Sequence, residues 1–150
     1  MNCFPDTSFL CSVYRTQIHS PRADAFMEQR TGAIPVSGFL LLEFRQSVRL
    51  QVWLHGQDRT KGFSKHEATR MLADLEADLR GKIFEIVPAD WAAVHQLAEG
   101  LSARRTEAKG HRLADILHVA TALHVGVTEF LTFDPNQKRL AESENLTVPF

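Results

Sequence analysis

The sequence predicts an α/β protein built in three layers, with a short, mainly parallel central sheet between two layers of helices. Short apolar segments with strand character alternate with longer segments with helical character. That alternation is typical of a parallel sheet covered by helices on both faces. The 150 residues contain no internal repeat, low-complexity tract or linker, so we expect a single domain over residues 1–150.

Helix and strand signals follow one another through the first half of the chain. Ser20 supplies an N-cap and Pro21 a proline at the first helical position, which predicts a helix ending near Gly32. Residues 33–37 are partly β-branched and predict a strand. Residues 38–54 are rich in Leu, Phe, Val, Glu and Arg and predict a long helix.

The clearest helix signal lies in the second half. Ser64 and Glu67 match a capping box, apolar residues recur every three or four positions, and Gly81 follows, so a helix is predicted over residues 64–79. The β-rich residues 83–87 predict a strand. The remaining predictions are a helix capped by Asp90, a basic loop over 104–112, a helix over 113–125, a strand over 130–133, a helix over 135–140 and a terminal strand over 146–149.

The composition is that of an ordinary globular protein, with 44% hydrophobic residues, 23% charged residues and a formal net charge of −1. No segment approaches the roughly 20 apolar residues of a membrane span, and the first residues do not resemble an export signal. Cys3 and Cys11 form neither a Cys-x-x-Cys motif nor a disulfide framework. We therefore expect a cytoplasmic protein, in which any nucleic-acid binding must come from a local basic surface.

Four carboxylates in apolar surroundings are the most informative feature. Asp6 and Asp134 each end a short apolar run, and Glu43 and Asp115 lie inside apolar stretches. Burying an isolated carboxylate costs several kcal/mol or more, so unpaired acids in such positions need a reason. In a parallel sheet the strand ends meet at one edge, and early helical residues can face the same edge. The four acids are therefore predicted to share one pocket, where a divalent cation could neutralise them.

A basic cluster precedes Asp115 in the sequence and consists of Arg104, Arg105, Lys109, His111 and Arg112. Charge runs are more often solvated surface than binding sites. The position of this run immediately before an acidic residue instead favours contact with a phosphate-bearing substrate.

The four acid-containing segments resemble those of the PIN domain, and within it the toxin nucleases of VapBC-type toxin–antitoxin pairs. The resemblance rests on FPDTS around Asp6, LLEFR around Glu43, RLADILHVATAL around Asp115 and FLTFDPNQ around Asp134. No single motif is specific, but four in order at family-like separations are strong evidence. Pro5 is a departure, because a proline before Asp6 removes one amide donor from the first strand.

The resemblance implies a metal-dependent endoribonuclease that hydrolyses phosphodiester bonds with water. Asp6, Asp115 and Asp134 would hold Mg²⁺ or Mn²⁺, with Glu43 completing the set as ligand or through water. Ser8 and Thr132 would support these ligands through hydrogen bonds. The implied partners are an RNA substrate, a cognate antitoxin and a second copy of the chain in a homodimer. The residues assigned to the RNA backbone are Arg104, Arg105, Lys109 and Arg112.

Several other functions are compatible with the same residues. A housekeeping PIN-domain nuclease for RNA processing would share the site, and a non-catalytic RNA- or protein-binding module would keep an inert acidic pocket. A metal-free ribonuclease could use His111, Asp115 and His118, although histidines on an apolar helix are more often structural. An aspartyl phosphatase is disfavoured, because the second aspartate expected two residues after Asp6 is missing.

Overall fold

The computed structural model describes all residues, 1–150, as four short strands and seven helices. The strands are β1 (Cys3–Pro5), β2 (Ile34–Val36), β3 (Phe84–Ile86) and β4 (Glu129–Leu131). The helices are α1 (Thr7–Tyr14), α2 (Ser20–Gln29), α3 (Gly38–Gln57), α4 (Lys65–Arg80), α5 (Trp91–Lys109), α6 (Leu113–Val125) and α7 (Pro135–Ser143). None of the helices combines the length and apolar character that a membrane crossing requires.

All strand pairing is parallel, and the predicted fold class is confirmed. β1 pairs with β4 and β2 pairs with β3, while β1 lies beside β2 at the centre. β1 and β2 are buried along their whole length, as expected for strands covered on both faces. The amide of Asp6 donates to the carbonyl of Leu131 at 3.0 Å. Pairing with β4 therefore continues past Pro5, and the proline does not detach Asp6 from the sheet edge.

The aromatic core holds the strands against the helices. The largest fully buried side chains include five phenylalanines, which come from three strands and two helices: Phe4, Phe9, Phe44, Phe84 and Phe130. Burying a phenylalanine contributes about 1.5–3 kcal/mol relative to leaving it exposed. Because Phe4 and Phe130 lie next to each other in the β1–β4 pair, the residues that follow these strands are held at one edge.

Two sequence-based expectations about secondary structure are wrong. The basic segment is not a loop, because Arg104, Arg105 and Lys109 form the last turns of α5, which ends only at Gly110 in a left-handed conformation. Arginine, lysine, alanine and glutamate are good helix formers, and no proline interrupts them. The terminal strand is reduced to one bridge between Glu129 and Thr147, since proline at position 149 offers no amide hydrogen to extend it.

The first helix, α1, carries no C-terminal boundary signal that predicts its extent from the sequence. α1 starts immediately after Asp6, whose carboxylate accepts a hydrogen bond from the amide of Phe9 at 3.0 Å. Asp134 caps α7 in the same way, through the amides of Asn136 and Gln137. Both aspartates therefore satisfy helix amides and stand at strand ends, so capping and site formation are combined in the same side chains.

Candidate active site

The four predicted acids line one small pocket of about 240 Å³ at the edge of the sheet. Asp6 follows β1, Glu43 lies in the second turn of α3, Asp115 in the first turn of α6, and Asp134 follows β4. No apolar residue lines this acidic pocket. The other lining residues are Thr7, Ser8, Ser47, Arg112 and His118.

Asp6 is the most enclosed of the acids, with 4% of its surface exposed. Its carboxylate accepts hydrogen bonds from the hydroxyls of Ser8 at 2.6 Å and Thr132 at 2.5 Å, as well as from the amide of Phe9. Burial raises the pKa of Asp6 above its ordinary value, and these three hydrogen bonds oppose the rise. Both supporting residues expected from the sequence, Ser8 and Thr132, thus hold this carboxylate directly.

Glu43 is oriented by two donors from other helices. Its Oε2 accepts hydrogen bonds from the Thr7 hydroxyl and from Nε2 of His118. Partial burial acts to raise the pKa of Glu43, but the hydrogen bonds of His118 and Thr7 outweigh it, so the pKa lies below its ordinary value. The glutamate is therefore held ionised in the pocket.

His118 contacts Glu43 through Nε2. Its Nδ1 is buried and has no hydrogen-bond partner. The contact with Glu43 is therefore the side-chain hydrogen bond that this imidazole makes, and it orients Glu43.

Asp115 and Asp134 occupy the side of the pocket nearest α6 and α7. Oδ2 of Asp115 lies 3.2 Å from Nε of Arg112, and this ion pair raises the pKa of Arg112. Oδ1 of Asp134 accepts both capping amides of α7, at 2.7 and 3.1 Å. The buried amide of Gln137 donates to the backbone carbonyl of Asp115 at 3.1 Å and thereby ties α7 to the first turn of α6.

The donor chemistry of the pocket fits a hard divalent cation. Glu43, Asp115 and Asp134 each keep one carboxylate oxygen that accepts no hydrogen bond, namely Oε1, Oδ1 and Oδ2. Oxygen donors of this kind are the ligands that Mg²⁺ and Mn²⁺ prefer. No three His, Cys, Asp or Glu side chains are arranged to hold a metal ion. Ion binding would therefore require movements that draw the carboxylates together.

Of the four basic residues assigned to RNA, only Arg112 lies in the acidic pocket. Arg104 and Arg105 instead form ion pairs with Glu144, at 3.2 and 3.0 Å, and Arg105 also donates to the carbonyl of Ser143. Lys109 is exposed at the end of α5. The helical extension of α5 is what turns the two arginines towards α7.

His118 and Thr7 are site residues that the four acidic motifs do not include. The available signal for His118 was its spacing of three residues from Asp115, which places both on one side of α6. His111, considered together with it, is not in the acidic pocket. It lines a separate groove between α5 and α6, and its Nδ1 lies 3.2 Å from the Asn136 amide nitrogen. Burial lowers the pKa of His111. The two histidines therefore do not form an acid–base pair across one site.

Comparison with known proteins identifies the family. The PIN domain model matches residues 3–143, which is most of the chain. The chain therefore belongs to the PIN domain family. No curated protein sequence matches it.

Two solved structures share this fold. VapC20 of Mycobacterium tuberculosis, described as a sarcin–ricin loop cleaving toxin, has a TM-score of 0.63 at 16% identity, over 91% of this chain and 93% of that chain. FitAcB from Neisseria gonorrhoeae has a TM-score of 0.61 at 18% identity, over 97% of this chain and 95% of that chain. At these identities the likeness establishes the fold.

Proposed function

We propose that this protein is a Mg²⁺- or Mn²⁺-dependent endoribonuclease that acts as the toxin of a VapBC-type toxin–antitoxin pair in the cytoplasm. The observation that carries the proposal is the convergence of four carboxylates, from four separate elements, on one pocket without apolar lining. Membership of the PIN family supports a nuclease, and the fold shared with a toxin that cleaves the sarcin–ricin loop supports RNA as the substrate.

In this proposal the free oxygens of Glu43, Asp115 and Asp134 bind the cation together with Asp6, the fourth acid of the pocket. A bound divalent cation supplies activation of a water molecule and stabilises the charge that develops on the phosphate. Thr7 and His118 fix the orientation of Glu43, and Ser8 and Thr132 fix that of Asp6.

Arg112 supplies a positive charge at the mouth of the pocket. Its side chain is 78% exposed and needs only to rotate away from Asp115 to reach a phosphate in solution. Because water attacks rather than the ribose 2′-hydroxyl, the products are expected to carry 5′-phosphate and 3′-hydroxyl ends.

The decisive experiment is cleavage of end-labelled RNA by the purified protein in Mg²⁺ or Mn²⁺. Excess EDTA should stop cleavage, and Asp115→Asn or Asp134→Asn should reduce its rate by orders of magnitude while the circular dichroism spectrum is retained. Asp74→Asn, on the exposed side of α4, is the matched control and should cleave at the parental rate. Cleavage that persists unchanged in EDTA would remove the metal mechanism, and absence of cleavage under all conditions would favour a binding module.

The toxin assignment implies a partner that holds the nuclease in check. A protein placing an arginine or lysine in the acidic pocket would neutralise it, since charge-assisted contacts with carboxylates are strong. Apolar anchorage is available on α3, where Leu42, Leu50 and Trp53 are exposed, Trp53 by 59%. Part of the same apolar surface could serve a homodimer.

Co-expression separates the toxin from a housekeeping nuclease. Expression of the chain should arrest growth, co-expression of the neighbouring gene should restore it, and Trp53→Ala should weaken the complex without abolishing cleavage. Harmless expression of a protein that cuts RNA in vitro would instead assign an RNA-processing role.

A further inference from the structure

A second pocket, of about 310 Å³, adjoins the acidic pocket on the side of α2 and α7. We call it the His19 pocket and define it by His19, Arg22, Phe133, Lys138 and Phe150. Asp134 lines both pockets, so the His19 pocket lies next to the proposed site of cleavage. Whereas the acidic pocket holds four carboxylates, the His19 pocket has only Asp134 as an acidic lining residue and otherwise carries cations and aromatic rings.

Its aromatic wall is a stack of rings fixed to the protein core. The His19 ring lies parallel to that of Phe133, with centroids 4.7 Å apart and an angle of 4°. Phe133 in turn packs on Phe150, with centroids 4.5 Å apart, and its amide donates to the Ser8 hydroxyl at 2.9 Å. His19 is partly exposed at the outer end of this stack. It thus offers a planar aromatic surface, one of the features on which nucleic acid bases stack.

Arg22 brings a positive charge to the same wall. Its guanidinium lies over the Phe133 ring at 5.1 Å from the centroid, and Nη2 donates to Nδ1 of His19 at 3.0 Å. Arg22 forms no ion pair with a carboxylate, so its remaining donors are available to a ligand. Lys138 lies close by and binds the backbone carbonyl of Phe150.

A planar ring beside unpaired guanidinium donors matches a ligand that has a base and a phosphate. We propose that the His19 pocket binds the RNA nucleotide next to the bond that is cut, with its base on His19 and its phosphate on Arg22. The proposal rests on the proposed function, because it assigns a substrate subsite to the nuclease. It also explains how an acidic site retains a polyanion: binding affinity comes from a neighbouring cationic surface.

The test measures RNA binding separately from cleavage. A fluorescein-labelled single-stranded RNA is titrated, over a range of salt concentrations, into protein carrying Asp115→Asn, which prevents turnover in the proposed mechanism. Arg22→Gln should raise Kd and lower the slope of log K against log salt by about 0.7, the value for one phosphate contact on a single strand. His19→Ala should raise Kd roughly fivefold or more, as expected for a lost base stack, without changing the slope.

Matched controls are available on distant surfaces. Arg49→Gln on α3 and His66→Ala on α4 change the same residue types at exposed positions and should leave Kd and slope unchanged. His19→Phe keeps a stacking ring and should retain near-parental affinity. His19 makes no capping hydrogen bond to α2, so its replacement should leave the fold intact, which a melting curve checks.

The outcomes distinguish the two proposals. If the parent protein cleaves RNA but Arg22→Gln and His19→Ala bind within twofold of parent with an unchanged slope, the nuclease stands and the subsite is overturned. If RNA binds in an Arg22- and His19-dependent manner but no cleavage occurs in Mg²⁺ or Mn²⁺, the subsite stands and the nuclease is overturned. Absence of RNA binding in every variant overturns the subsite.

Discussion

Replacing Asp6 by asparagine should abolish cleavage and, in the presence of EDTA, make the protein more stable. Asp6 is nearly fully buried, and burial raises its pKa despite three hydrogen bonds. Ionising Asp6 at neutral pH therefore disfavours the folded state. Asparagine removes the charge but still caps α1 through its side-chain oxygen, because Asn and Asp are about equally good N-caps.

The change in stability follows from the charge that is lost and the helix cap that is retained. The Phe9 amide and the Ser8 hydroxyl keep their acceptor, since both donate to Oδ1, and the Thr132 hydroxyl, which faces Oδ2, can rotate to accept from the new amide group. We therefore expect Asp6→Asn to raise the free energy of unfolding, and Tm should rise with it by ~2–4 °C for each kcal/mol in a chain of this length. Asp6→Ala removes the cap as well and should lie about 1 kcal/mol below the asparagine variant.

The gain in stability of Asp6→Asn should depend on pH, and the raised pKa of Asp6 determines the direction of that dependence. The unfolded chain ionises Asp6 near pH 4, at roughly the ordinary aspartate value, whereas the folded protein retains the proton to higher pH. The parent is therefore stabilised by this group at low pH and loses that stability as pH rises through the folded pKa. The asparagine variant lacks this titration. The Tm difference should be small near pH 4 and grow towards neutral pH.

Thermal melts of parent, Asp6→Asn and Asp6→Ala in EDTA, between about pH 4 and pH 8, test the reasoning. A Tm of Asp6→Asn several degrees below parent, with no dependence on pH, would show that the carboxylate is a structural partner whose charge the fold requires. Cleavage assays on the same samples separate loss of activity from loss of fold.

Two further predictions concern residues whose roles only the structure indicates. Arg105→Ala should lower Tm by a few degrees at most and leave RNA affinity unchanged, because Arg105 binds Glu144. Arg112→Ala should instead raise KM for RNA without lowering Tm. Titration of RNA into both variants decides between the two roles, and equal losses of affinity would restore the sequence-based assignment. His118→Leu should reduce cleavage by roughly 10- to 100-fold by releasing Glu43; added Mg²⁺ should partly restore the rate of this variant, and an unchanged rate at low Mg²⁺ would exclude the orienting role.

Several features of this protein follow from the sequence alone. Asp6 and Asp134 lie at the ends of apolar strands and before helix-forming residues, so both their position at the sheet edge and their capping role are encoded locally. The parallel α/β class follows from the alternation of short apolar runs and helices, and it is confirmed. Those signals depend on spacing within one element, and the tertiary packing agrees with these local preferences.

The extent of α5 is a case where the local signal misled. A run of positive charges suggested a loop, but helix propensity and the cap at Asp90 continue the helix to Gly110. Once helical, Arg104 and Arg105 face Glu144, which is 40 and 39 residues further along the chain. No periodicity in the sequence indicates such a pair.

The tertiary structure also decided which groups surround each acid. His118 reaches Glu43 across 75 residues, and Thr132 reaches Asp6 across 126. The same is true of His19, which stacks on Phe133 although α2 gives no sequence signal of a binding surface. Hydrophobic periods of 3.6 or 2 residues indicate which face of an element is buried, but not which side chain of another element that face contacts. The four acids could therefore be predicted from the sequence, whereas their orientation and the neighbouring His19 pocket could be seen only in the tertiary structure.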